Sequence, residues 1–259
     1  MNIFRFSKPI AFYGALIFYS SLVNAVFVES VDGGFSTELT LSGNISQQPL
    51  SWMWDIPDHT QEGLLNDWVM KKDDMVIEGS NALYEFDNKV AYRLLQGYTK
   101  RLAYSGGLAI RPNIVLGNAT DEVTVDGTIQ TVEVAALGYF SNEATISGSL
   151  TMTVQAGNAI ALYWQNTQKK WLANSDSELG LSAKALLKNN VENFSSYYSH
   201  IDEEKTQPYQ WIYNMAGEEG ALQLGLAFDS KISNYQLRFP IAAVPVVWSA
   251  ELPITVTFQ

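Results

Sequence analysis

Two eleven-residue stretches of this chain alternate apolar and other side chains with a period of two, and they constrain its fold more than any other feature. One reads Phe35, Thr37, Leu39, Leu41, Gly43, Ile45 on one face, and the other reads Trp248, Ala250, Leu252, Ile254, Val256, Phe258. Successive side chains of an extended strand point to opposite faces, so this period belongs to half-buried β-structure and not to a helix. One segment stands near the front of the chain and the other closes it. The first reads as a strand with no neighbour of its own, the second as a strand that waits for one. Such a pair suits a chain that lends a strand to another copy of itself.

The front of the chain sets the compartment. Arg5 and Lys8 precede an apolar run from Ile10 to Val23, and Val23-Asn24-Ala25 has the small-residue character of a cleavage site. A run of about 14 apolar residues is short for a membrane-spanning helix and suits a secretory signal over residues 1–25, cut between Ala25 and Val26. The expected product is exported and begins at Val26. Taking 25 residues from 259 leaves 234, enough for one large all-β domain. Losing Arg5 and Lys8 moves the net charge from −11 to −13, which disfavours nucleic acid as a partner. Cysteine is absent, so packing alone must hold the exported chain.

Strand patterns fill most of the remainder. Leu50, Trp52, Trp54 and Ile56 alternate up to Pro57, and Val90–Tyr98 and 108–116 read as further strands flanking a Gly106-Gly107 turn. Val123 and Val125 lead through Asp126-Gly127 into Ile129–Val134, the signature of a two-residue hairpin. Leu150, Met152 and Val154 alternate, as do Leu222–Phe228, Tyr235–Ile241 and the aromatic set Tyr209, Trp211, Tyr213. Frequent short strands with glycine between them indicate a sandwich or barrel. Leu179, Ala183, Leu186, Leu187, Val191 and Phe194 instead recur at helical spacing, so an amphipathic helix is expected over 178–198, with Ser177 as its cap and Glu178 in its first turn. This helix reads equally well as a stabilising lid and as a functional element.

Catalytic patterns are missing. Two histidines, His59 and His200, are too few for a zinc site without cysteine, and no nucleophile-elbow, phosphate-loop or dinucleotide motif occurs. Asp121, Glu122 and Asp126 fail the spacing of a calcium loop. No enzyme, cofactor or metal is expected. The competing classes are a small outer-membrane β-barrel and, more remotely, a jelly-roll enzyme acting on glycans, which would need two facing carboxylates.

Gly43 stands in the middle of the apolar face of 35–45, where glycine weakens a strand unless something approaches closely. An ordinary first hairpin with the Trp52/Trp54 strand is the competing reading of that segment. If buried in a groove, Phe35, Leu39, Leu41 and Ile45 would contribute roughly 6–12 kcal/mol as an upper figure. Pro253 marks an edge or bulge in the closing strand.

The chain resembles pilins of the chaperone–usher class, and most closely the FaeG-type family of enterobacterial fimbrial subunits. The resemblance rests on Phe35–Ile45, Trp52-Met53-Trp54, Leu94-Leu95 through Thr99-Lys100 to Ser105-Gly106-Gly107, and Trp248-Ser249-Ala250 to Phe258. It implies an incomplete immunoglobulin-like β-sandwich of the all-β class, completed by donor-strand complementation. In that layout residues 26–46 form the N-terminal donor extension and 47–259 the pilin domain, with an inserted helical segment around 160–220. Phe35, Thr37, Leu39, Leu41, Gly43 and Ile45 would be the donor residues. Trp248, Ala250, Leu252, Ile254, Val256 and Phe258 would face a periplasmic chaperone. The implied partners are that chaperone, an outer-membrane usher, neighbouring subunits and, in adhesive members, host glycoconjugates. The implied location is a surface fimbrium. Trp171, Tyr197 and Tyr198 are the candidate glycan-stacking residues of the insertion, whereas the alternating Tyr209, Trp211 and Tyr213 are expected in the core.

Overall fold

The structure, a computed structural model, describes residues 51–58, 68, 71–86, 90–103, 111–118, 121–217 and 221–258. The alternating segment Phe35–Ile45, the Ala25–Val26 junction, His59 and the Gly106-Gly107 turn lie outside them.

Two long strands form the backbone of the fold. β8 (Thr145–Trp164) and β11 (Ala221–Pro240) pair antiparallel along nearly their whole length. Each flank of this pair hands its edge from one strand to the next. β8 pairs with β7 (Gln130–Tyr139) over its first half and with β9 (Lys169–Ser175) over its second. β11 pairs with β4 (Tyr92–Thr99) and then, nearer its C-terminal end, with β3 (Asn81–Glu85). β1 (Trp52–Asp55) joins β4, β2 (Val76–Glu78) joins β3, β10 (Glu203–Gln207) joins β9, and β12 (Val247–Ala250) joins β7. A second sheet of β5 (Pro112–Leu116), β6 (Val123–Thr124) and β13 (Ile254–Phe258) packs across the core from the first half of β8. The described strands therefore form an open β-sandwich, the all-β architecture expected of a pilin, and they do not close into the alternative membrane barrel.

Burial along β8 explains its two halves. Leu150, Met152 and Val154 are buried while their neighbours are only partly so, the pattern of a sheet with one covered face. From Ala156 to Leu162 every residue is buried, because both faces are covered. Helix α1 (Glu178–Asn190) covers one face, where Ala159 and Ala161 meet Ala183 and Leu187. The short α2 (Phe194–Tyr197) continues that cover. Helix α3 (Tyr209–Ala216) covers the other face, where Ile160 and Leu162 meet Ile212 and Met215. Gly157 makes the close fit feasible, since any side chain on it would run into the backbone of Leu179 and Gly180 at the start of α1.

Three expectations need correction. The helix expected over 178–198 breaks after Asn190, and Val191 and Asn193 separate α1 from α2. Its cap is as expected, with the Gly180 amide donating to Ser177 Oγ at 3.0 Å. Tyr209, Trp211 and Tyr213 are not a strand: Pro208 precedes a helix that buries Tyr209 and Tyr213 and leaves Trp211 half-buried. Pro208 has no amide hydrogen to lose and suits a helix start. The hairpin expected at Asp126-Gly127 is a crossover between sheets. β6 pairs with β5 and β7 with β8. Asp126 Oδ1 accepts from the Thr128 amide at 2.9 Å and from Thr128 Oγ1 at 2.6 Å, and Gly127 takes φ +86° against the Tyr209 ring. The side-chain turn redirects the chain instead of reversing it.

Candidate functional site

The closing stretch Trp248–Phe258 is two strands, not one. Glu251, Leu252 and Pro253 interrupt it, and the Pro253 carbonyl accepts from the Gly117 amide at 3.0 Å. β12 ends the large sheet and β13 ends the small one. A proline that donates no ladder bond is where the chain steps from one layer to the other.

An apolar groove opens beside this step. Ile56, which follows β1, lines it together with Leu252 and with Ile254 of β13. Among the described residues β1 pairs only with β4 and β13 only with β5, so neither outer edge has a strand partner. Trp52 and Phe258, the first residue of β1 and the last of β13, lie with ring centroids 6.3 Å apart. The cavity measures about 690 Å³, and none of its lining residues is charged.

Its floor is assembled from distant pieces. Leu150, Met152, Leu94 and Val134 present the covered face of the large sheet. Trp68 stands edge-on to Phe86 and Tyr235, with centroids 4.8 Å away in each case, and packs against Trp248 at 5.9 Å. The buried Tyr235 hydroxyl donates to the Ile232 carbonyl at 2.9 Å, and burial pushes its phenol above the usual value. Trp54 lies flat over Gly97, where any side chain would overlap the indole, and stacks on Trp52 at 5.0 Å. Such a site has no converging polar groups to orient a polar ligand. It suits apolar side chains carried by an extended backbone, because unpaired strand edges flank it.

Of the expected C-terminal residues, Trp248, Ala250, Leu252 and Ile254 line this groove. Val256 packs on the core and Phe258 is 41% exposed at the Trp52 end. Sequence reasoning missed Ile56 and Trp68. Trp68 follows Leu64 and Leu65 and precedes Val69 and Met70, a short apolar cluster that carries no strand alternation, and only tertiary contact reveals its part.

The three glycan candidates do not converge. Trp171 belongs to the core on the α3 side of the sheet, stacked on Trp164 at 6.0 Å, with Lys205 Nζ 3.7 Å from its ring centroid. Tyr197 and Tyr198 belong to the opposite, α1 side. Tyr198 is buried, its hydroxyl donates to the Gln223 carbonyl, and burial raises its phenol pKa. A polar cluster lies at the start of α1. Asp229 is fully buried with Arg93 Nη1 at 2.5 Å, and Arg93 and Lys231 both reach Glu178 in the first turn of the helix. Burial raises the Asp229 pKa, against a hydrogen bond from Ser182 and the charge of Arg93.

The described strands thus form a two-sheet sandwich of the all-β class, with an uncharged apolar groove. The family model described as "Fimbrial, major and minor subunit" matches residues 13–259, and the chain belongs to that family. A search of curated proteins gave no match. Membership makes the chain a fimbrial subunit, associated with other subunits in a surface fimbrium.

Proposed function

We propose that the chain polymerises by donor-strand exchange: residues Phe35–Ile45 of one copy fill the groove of the next. The observation that carries this reading is the uncharged 690 Å³ groove, lined by Ile56 just past β1 and by Ile254 of β13, two strands whose outer edges have no strand partner among the described residues. An inserted strand would give main-chain partners to both edges, and its alternate side chains would enter the core. Phe35, Leu39, Leu41 and Ile45 supply the apolar side chains and Gly43 a position of close approach. Before assembly the same open groove would be covered by a periplasmic chaperone pairing with the C-terminal strands, and an outer-membrane usher would exchange one strand for the other.

Deleting Val26–Ser46 tests the reading. The deleted protein is expected to co-purify with its chaperone, to bind a synthetic Phe35–Ile45 peptide and to form no fibres. Normal fibres from the deleted chain would sink the donor role.

Host glycan binding, if this subunit is adhesive, requires one face of the helical insertion and not the three aromatic candidates together, because the sheet separates them. Trp171→Ala and Tyr197→Ala, each screened on a glycan array, address the two faces separately. Loss of one glycan signal in both variants would overturn that separation.

A further inference from the structure

We infer that the charged cluster at the start of α1 is a proton-operated latch, in which Asp229 takes up a proton in the folded chain and holds α1 to the sheet more firmly as the medium turns acid.

The cluster joins three elements. Asp229 stands in β11, with Gln96 of β4 and Gly157 of β8 as its strand partners. Its side chain is fully buried, with Arg93 Nη1 of β4 at 2.5 Å from Oδ2. The same guanidinium reaches up to the helix, where Arg93 Nη2 lies 3.8 Å from Glu178 Oε1. Lys231 Nζ, two residues along β11, lies 3.5 Å from Glu178 Oε2. The groups that face Asp229 are therefore Arg93 and Gln96 from β4, Glu178 and Ser182 from α1, and Lys231 from its own strand. From β8, Gly157 and its neighbours Ala156 and Asn158 bring no charge.

Two cations thus serve two carboxylates in unlike surroundings. Glu178 is 74% exposed, whereas Asp229 has no contact with water and shares its cation with Glu178. Taking a carboxylate out of water costs more than one shared, partly solvated cation returns. Burial is the largest influence on Asp229 and raises its pKa, against a hydrogen bond from Ser182 and the charge of Arg93. A neutral Asp229 keeps its carbonyl oxygen for Arg93 and gains an O–H, for which Ser182 and Gln96 each carry an acceptor oxygen. Arg93 and Lys231 then give their charge to Glu178 in the first turn of the helix. The folded chain holds this proton above 3.8, where the unfolded chain has released it. The stability so gained is complete below 3.8 and is lost as the pH rises through the raised value.

The other ionic contact of α1 responds in the opposite sense. Lys184 and Lys188 each lie 3.4 Å from Glu204 of β10, which is 49% exposed. Against a burial penalty, the charges of Lys188 and Lys184 hold the Glu204 carboxyl below its usual value, so acid weakens this pair. As the pH falls, the hold on α1 passes from β10 towards β11.

Hydrogen exchange read by mass spectrometry on fimbriae of the full chain tests the latch, from about pH 8 to about pH 4 and corrected for the intrinsic pH dependence of exchange. Protection of Leu181–Leu186 is expected to rise in acid, by about tenfold for every pH unit by which the Asp229 midpoint exceeds 3.8. Asp229→Asn, neutral at every pH, should show no rise, and Glu204→Gln should keep it. Protection that stays level or falls in the parent overturns the latch. So does a rise that survives Asp229→Asn or disappears in Glu204→Gln. A second measurement needs no variant: the carboxyl carbon of Asp229, followed by solid-state NMR in labelled parent fimbriae, should titrate above 3.8. A midpoint at or below that value overturns the latch even where Asp229→Asn yields no fimbriae.

Discussion

The two halves of the β8–β11 pair are made of the same two strands and end up in opposite situations. In the Gly157–Trp164 half, the sheet is covered on one face by α1 and α2 and on the other by α3. In the Thr145–Ala156 half, one face looks towards the small sheet, and Leu150 and Met152 of that face line the groove together with Ile56, Leu252 and Ile254. The helical insertion is the chain's own solution to burying a sheet. The groove is the part for which the described residues provide no such solution. On the donor-strand reading proposed above, assembly acts on one half while the other holds its shape.

Substitutions can break or sharpen this contrast. The largest effect is expected at Leu187, fully buried between α1 and the sheet: Leu187→Ala should cost about 2–5 kcal/mol in denaturant unfolding, with or without added Phe35–Ile45 peptide. Ile254, half-buried on the groove wall, should behave differently. Ile254→Ala is expected to cost about 1 kcal/mol in the peptide-free protein and measurably more once the peptide is bound, because only then is the side chain fully enclosed. An equal peptide dependence at both positions would erase the contrast. Ser177→Ala removes the cap of α1 and should cost about 1 kcal/mol without altering peptide affinity, read by thermal melting and peptide titration.

The smallest effect concerns the crossover turn. The Thr128 hydroxyl, then the Thr128 amide, hold the Asp126 carboxyl below the ordinary aspartate value of 3.8. A lowered pKa contributes stability above 3.8 that is lost as the pH falls through the lowered value. Asp126→Asn should therefore differ from the parent by no more than about 0.5 kcal/mol at pH 7. The difference should vanish in thermal melts taken at a pH below the lowered value. A gap that widens in acid would contradict the assignment.

Much of the secondary structure was legible because period two and period 3.6 leave different marks. Leu150, Met152 and Val154 read as a strand and are one, and Ser177 with Leu179, Ala183 and Leu187 reads as a capped helix and is one. The aromatic set Tyr209, Trp211, Tyr213 misled because three alternate residues fit a strand as easily as a short helix buried on much of its surface. Asp126-Gly127 misled because local turn chemistry says that the chain bends, not which sheet receives it.

Residue pattern alone determined that this chain builds β-layers, that a capped helix is set among them, and that most of the closing alternating stretch is strand material. Those properties depend on neighbours in sequence, where side-chain direction repeats with the backbone. Tertiary structure decided that the closing stretch splits at Pro253 between two sheets, that Trp171 and Tyr197 lie on opposite sides of one sheet, and that an uncharged groove opens beside that split. Each of these depends on which distant segments meet, and burial energy, being non-directional, leaves no periodic trace of that choice in the chain itself.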